Sequence, residues 1–142
     1  MKEEYVTYEQ SQTLKRLGFA EKVNHAYLKK ISIEPDLSIG DLKEVHSKVP
    51  KNYNDTRKGA EKGLFFYSAP RLDQAQKWLR EKHNLSVEPI CNMVRQWNVN
   101  VCEIDNFGTA VYSKMNLDSY ELALSAGIDA ALELLTDKLN DK

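Results

Sequence analysis

The fold of this chain is decided by residues 118–139, which read DSYELALSAGIDAALELLTDKL. Apolar side chains recur there at the three- and four-residue spacing of an α-helix with one buried face. This stripe consists of Tyr120, Ala123, Leu124, Ile128, Ala131, Leu132, Leu135 and Leu139. Asp118 is the predicted N-cap, with Glu121 at the third helical position. The stretch predicts a long amphipathic helix whose burial contributes about 25 cal/mol per Å² of apolar area.

The residues ahead of this helix alternate between apolar and polar, as in half-buried strands. One strand is predicted over 85–93, and Pro89 within it indicates an edge strand or a bulge because proline cannot donate to a ladder. A second strand starts at Trp97 and ends near Ile104, residues 105–108 form a tight turn, and a third strand covers 109–113. Residues 85–113 therefore predict an antiparallel meander.

A helix and a short strand are predicted before the meander. Leu72, Ala75 and Leu79 share one face of a helix over 72–83. The aromatic run LFFY at 64–67 predicts a strand, and residues 68–70 turn the chain between the two.

Residues 1–63 carry weaker secondary-structure signals than the rest of the chain. Thr7 and Gln10 form a capping-box pattern for a helix that ends before Gly18. Residues 22–33 fit both a strand and a helical stripe, and we favour the strand because β-branched residues end the run before Pro35. A short helix is predicted over 41–48, inside a long loop or insertion that spans 34–63.

These elements predict an α+β domain with helices and hairpin-paired strands in two layers. We expect one small antiparallel sheet of about four or five strands, with about three helices packed mainly on one face. The length of 142 residues suits a single domain over 1–142.

Charge and cysteine content narrow the classes of function. The 20 basic and 21 acidic residues give a net charge of −1, which argues against a broadly basic nucleic-acid-binding domain. No apolar leader follows Met1 and no apolar run approaches a membrane span, so we expect a cytoplasmic protein without membrane contact. Cys91 and Cys102 lack the spacing of zinc or redox motifs.

Two modules carry a resemblance to a known group of proteins. They are FYSAPRLDQAQKWLREKHN at 66–84 and LDSYELALSAGI at 117–128, preceded by the opening helix that ends in Leu17, Gly18 and Phe19. Together they resemble short uncharacterised proteins of bacterial phages and phage-like mobile elements. The resemblance implies a helix before a strand meander, a closing helix and a mobile-element setting. It implies no reaction and no catalytic residue, and residues 34–63 depart from the group's pattern.

The histidines and cysteines suit ordinary structural roles. His25, His46 and His83 lack metal-ligand spacing, and His83 suits the end of a helix. The two cysteines lie on predicted strands, where a free thiol usually packs as a small apolar group. We therefore predict no catalytic residue, no metal and no cofactor.

The strongest binding candidate is the charged segment 48–62. It carries a net charge of +3 around an aromatic ring, and its candidate binding residues are Lys51, Tyr53, Arg57, Lys58 and Lys62. Such a segment suits contact with phosphates and a base, or it merely keeps a long loop soluble.

Three functions follow from the sequence as hypotheses. The leading one is a non-enzymatic accessory protein that binds a protein partner through this segment or through Phe65, Tyr67 or Trp97. The second is weak nucleic-acid binding by the segment 48–62, and the third is a small enzyme with an unrecognised site. An edge strand near Pro89 also permits a homodimer.

Overall fold

The structure, a computed structural model, describes residues 4–30, 42–55, 63–106 and 108–140. This part of the chain contains three α-helices and six β-strands. In chain order they are α1 (Tyr8–Arg16), β1 (Val23–Lys30), β2 (Leu42–Lys51), β3 (Leu64–Ser68), α2 (Leu72–His83), β4 (Leu85–Cys91), β5 (Trp97–Glu103), β6 (Thr109–Leu117) and α3 (Tyr120–Asn140).

The strands form two antiparallel sheets of three strands each within the described residues, in the orders β2-β1-β3 and β4-β5-β6. The α+β class is thus confirmed, and the expectation of one sheet with four or five strands is wrong. Alternating patterns locate strands but do not say which strands pair across a long separation. Here β3 pairs with β1 and not with the meander.

The chain divides into two compact units. The first unit is Thr7–Pro70, and the second combines Arg71–Lys142 with Met1–Val6. In the second unit a bridge joins Tyr5 to Arg71, whose Nη1 lies 3.3 Å from the Glu4 carboxylate. The assignment of 1–142 to one domain stays a prediction.

In the first unit, α1 begins as its sequence predicts. Thr7 Oγ1 accepts a 3.1 Å hydrogen bond from the Gln10 amide, and the Thr7 amide donates to Gln10 Oε1 at 2.9 Å. Gly18 takes a φ of +91° just after the helix, a conformation that glycine adopts at little steric cost. The capping box, the glycine stop and the strand at β1 are all confirmed.

Strand β2 contradicts two predictions made from the sequence. The helix expected over 41–48 is wrong, and residues 42–51 of the expected loop form a regular strand paired with β1. Most side chains of β2 are exposed, so the strand has no apolar alternation for sequence patterns to detect. Pro50 is tolerated because β2 lies at a sheet edge. Residues 31–41 and 56–62 of the expected loop lie outside the described residues.

In the second unit, α3 packs across all three strands of the meander, and α2 packs on β4 and α3. Pro89 lies on edge strand β4, whose pairing with β5 continues in regular register. Strand β6 runs to Leu117, beyond the predicted end at Ser113. Residues 105 and 106 of the predicted turn belong to a 3₁₀ turn that begins at Ile104.

The N-cap of α3 is Ser119, so the prediction of Asp118 is wrong. Ser119 Oγ accepts a 3.0 Å hydrogen bond from the Leu122 amide. The carboxylate of Asp118 instead accepts a 3.4 Å hydrogen bond from the Gln96 side chain. Both residue types favour N-caps, so local preference alone does not choose between neighbours.

Gly127 lies where α3 and the sheet of the second unit approach each other closely. A Cβ atom built there would overlap Val87 Cγ1 and lie 2.7 Å from Val99 Cγ2. Both valines are buried, on β4 and β5 respectively. The glycine therefore lets the helix approach the sheet closely at its centre. None of the described helices combines the length and apolar character that crossing a bilayer requires.

We predict that Gly127→Ala lowers the free energy of unfolding by about 1–3 kcal/mol, because its methyl group must displace packed valines. This loss outweighs the gain of about 1 kcal/mol that alanine brings to a helix. Urea unfolding measures the change. In a double-mutant cycle, Gly127→Ala costs less in a Val87→Ala background, and an equal cost in both backgrounds would contradict the proposed overlap.

Candidate functional site

The structure places two of the five predicted binding residues. Lys51 is the exposed last residue of β2, whereas Tyr53 is buried and stacks on Phe66 with ring centroids 6.1 Å apart. Next to it, the Asn54 amide group donates to the Phe19 carbonyl and accepts from the Ser68 amide, at 2.8 and 2.9 Å. Residues 52–55 therefore form part of the first unit's packed structure.

The other three candidates, Arg57, Lys58 and Lys62, lie outside the described residues. The binding role of segment 48–62 stays a prediction. The proposed aromatic contacts are half-buried: Tyr67 packs edge-on against Tyr8, and Trp97 packs edge-on against Tyr120.

Two histidines that are far apart in sequence meet on adjacent strands. His25 of β1 pairs with His46 of β2, and their ring centroids are 4.5 Å apart. His25 is buried, and its Nε2 lies 3.5 Å from Glu44 Oε1. Sequence spacing missed this pair because the register of β1 and β2 creates it. No group of three metal-ligating side chains occurs in the described ranges.

The other reactive side chains have structural surroundings. His83 ends α2 and packs edge-on against Trp78, and burial lowers the pKa of its imidazole. Cys102 is buried 3.8 Å from a Glu88 carboxylate oxygen. Burial, followed by that negative charge, raises the pKa of the Cys102 thiol, which disfavours a nucleophilic thiolate. Cys91 is exposed.

Exposed apolar side chains concentrate at one end of the meander. We define the apolar end as the end of the meander that carries the β4–β5 turn, the last residues of β6 and the start of α3; the pairing of Trp97 with Cys91 and with Leu117 places these segments at the same end of the sheet. Six of the eleven large apolar side chains that are exposed in the described residues lie there: Ile90, Met93, Val94, Met115, Tyr120 and Leu122. Met93 is fully exposed and Val94 is 68% exposed. These six side chains remain exposed after the second unit has folded.

The tip of the apolar end is held by Asn92. Its side-chain oxygen accepts hydrogen bonds from the amides of Val94 and Gln96, both at 3.0 Å. Its side-chain nitrogen donates to the side-chain oxygens of Asn98 and Asn116, at 3.0 and 3.2 Å. One side chain thus joins the turn to β5 and β6. The turn presents Met93 and Val94 in a fixed geometry, which reduces the entropy that binding would otherwise lose.

We predict that Tyr53→Ala lowers the free energy of unfolding by about 3 kcal/mol because it removes a buried ring. Lys51→Ala, two residues away on the surface, should change it by less than about 0.5 kcal/mol. Chemical unfolding of both variants makes the comparison. A Tyr53 variant as stable as the wild type would mean that the ring is free to act in binding.

We predict that Asn92→Ala loosens the β4–β5 turn without unfolding the sheet. The amides of Val94 and Gln96 lose their acceptor, so they should exchange with solvent faster, and stability should fall by about 1–2 kcal/mol. Ser113→Ala, which removes one exposed hydrogen bond on β6, is the matched control. Hydrogen exchange followed by NMR separates the two variants, and unchanged turn amides in Asn92→Ala would disprove the role of Asn92.

No protein-family model matches this chain, and no curated protein or solved structure matches it either. The resemblance to proteins of phages and mobile elements therefore stays a prediction. Among the described residues, the exposed apolar side chains of the apolar end are the surface feature on which a functional proposal can rest.

Proposed function

We propose that the protein is a non-enzymatic binding module that acts through protein–protein contact, with the apolar end as its contact surface. The concentration of exposed apolar side chains around the Asn92-fixed turn is the observation that carries this proposal. The sequence resemblance supports an accessory role in a phage or mobile element. The surface is not the one expected from the sequence, where the segment 48–62 was the first candidate.

The composition of the apolar end suits a protein partner. Methionine and tyrosine are enriched in protein interfaces, and Met93, Met115 and Tyr120 supply them here. Methionine side chains also adapt their shape to an apolar pocket. Burying these side chains would contribute about 25 cal/mol per Å² of apolar area removed from water.

The shape and charge of the surface favour an apolar pocket on another protein as the occupant. The fixed turn projects Met93 and Val94, which fits insertion into a recess. Charges of both signs are close to these residues in sequence, with Arg95 and Lys114 against Asp118. The second unit as a whole has 9 basic and 13 acidic residues. An anionic membrane or a nucleic acid would instead attract a cationic surface.

Weak nucleic-acid binding remains the second candidate, and it belongs to the first unit. That unit has 11 basic and 8 acidic residues, and β2 exposes Lys43, Lys48 and Lys51 along a sheet edge. Binding through these charges would weaken steeply as salt rises and would fall in an Arg57→Gln/Lys58→Gln variant.

The deciding experiment compares the wild type with Met93→Ser/Val94→Ser. Affinity capture from host cells and mass spectrometry identify a protein partner, which is then purified and titrated by calorimetry. We expect one-to-one binding with a negative heat-capacity change, weakened at least about tenfold in the double variant because a hot-spot contact of about 1.4 kcal/mol or more is lost. Ile104→Ser removes an exposed apolar side chain from a 3₁₀ turn away from the apolar end, and it should bind as the wild type does.

Either of two results would reject the proposal. One is a purified partner that binds the double variant as tightly as it binds the wild type. The other is capture of nucleic acid alone, released by salt, which would favour the second candidate. Circular dichroism of the variants confirms that both retain the fold before binding is compared.

A further inference from the structure

The His25–His46 pair lies where the pairing of β1 and β2 becomes regular. A register irregularity falls between Val23 and His25, and from the His25–His46 pair onward the ladder continues without a break to Lys29 and Leu42. The Asn24 side chain spans the irregular part by donating a 2.8 Å hydrogen bond to the Ser47 carbonyl. The two imidazoles therefore stack at the junction between the irregular and the regular parts of the ladder.

Acidic and aromatic groups of several described elements lie around the pair. Glu44 of β2 is 3.5 Å from His25 Nε2 and is the nearby carboxylate. On β1, the ring of Tyr27 packs edge-on against His25 at 5.4 Å. Beyond Tyr27 lie the α1 residues Tyr8, which touches its ring, and Glu9, whose charge acts on it. After β3, the chain contributes the Ala69 amide, which donates to the His25 carbonyl.

Strand β2 depends on this ladder for its attachment. It is an edge strand whose described pairing is with β1, and most of its side chains are exposed. A strand with few buried apolar side chains is among the first elements to open locally. A repulsion between His25 and His46 would therefore act directly on the pairing of β1 with β2.

We propose that the His25–His46 pair makes the attachment of β2 to β1 sensitive to acid, so that β2 opens as the pH falls below about 6.5 while the second unit keeps its structure. Protonation of His25 would place a positive charge on a buried ring whose centroid lies 4.5 Å from that of the His46 imidazole. Protonation alone drives the opening in this proposal, which does not depend on the binding function of the apolar end.

The direction of the effect follows from linkage. Burial first, and then the nearby His46, lower the pKa of His25 below its ordinary value of 6.5, whereas Glu44 acts in the opposite sense. The folded unit thus binds a proton at His25 less readily than the unfolded chain does. The stabilisation is complete above pH 6.5 and is lost as the pH falls through the folded-state pKa. One such group changes an opening equilibrium by up to about tenfold per pH unit.

Hydrogen exchange with mass spectrometry tests the proposal on the whole chain between pH 7.5 and 5.5. After correction for intrinsic exchange rates, peptides of β2 should lose protection by up to about tenfold, while those of β4 and β5 change little. His46→Gln replaces the exposed imidazole that faces His25 with a neutral amide, and it should reduce the loss of exchange protection in β2. Glu44→Gln removes the compensating carboxylate and should increase it.

His83→Gln is the matched control, because it removes a histidine of the second unit and should leave the β2 response as in the wild type. NMR titration of the imidazole signals adds a direct readout: the pKa of His25 should rise in His46→Gln. The proposal fails if β2 protection in the wild type is independent of pH over this range. It fails equally if His46→Gln responds as the wild type does.

Discussion

The close approach of α3 to the meander at Gly127 is the constraint on which the second unit depends. Because glycine leaves no side chain between helix and sheet, Val87 and Val99 fill the contact directly. The helix then covers one face along all three strands. The opposite face carries polar groups such as Glu88, Asn100 and Ser113, which bond to one another or to their neighbours. The apolar core of the second unit is therefore built on the helix-covered face of the meander.

The first unit is held together differently. Its edge strand β2 offers few apolar side chains, and polar and aromatic groups take their place at the interface of β1 and β2. The adjacent histidines, Glu44 and the Asn24 side chain are such groups. The contacts of the histidines and Glu44 are sensitive to protonation, whereas apolar packing like that around Gly127 is not. The two units should therefore differ in how their stability responds to pH.

The sequence predicted those elements whose local signals and tertiary environment agree. The capping box of α1, the apolar stripe of α2 and the central part of the α3 stripe from Ala123 to Leu132 are examples. The prediction is wrong at the two ends of the α3 stripe, where Tyr120 and Leu139 are exposed. It failed on β2, because an exposed edge strand has no apolar period and its strand identity comes from pairing with β1. It also missed the histidine pair and the apolar end. Both depend on strand register and chain reversal, which bring together residues whose spacing in sequence carries no signal.

Turn chemistry explains Asn92 but not its neighbours. A polar side chain that bonds the backbone two residues on is what a turn requires, and Asn92 meets that need. Nothing in the packing of the second unit requires methionine and valine at the next two positions, where they stand in water. Polar residues there would satisfy the turn equally well and leave less apolar area exposed. When local folding rules fail to account for a residue, function is the usual reason. The contrast between Asn92 and Met93 is therefore the strongest support for the proposal that this turn contacts another protein.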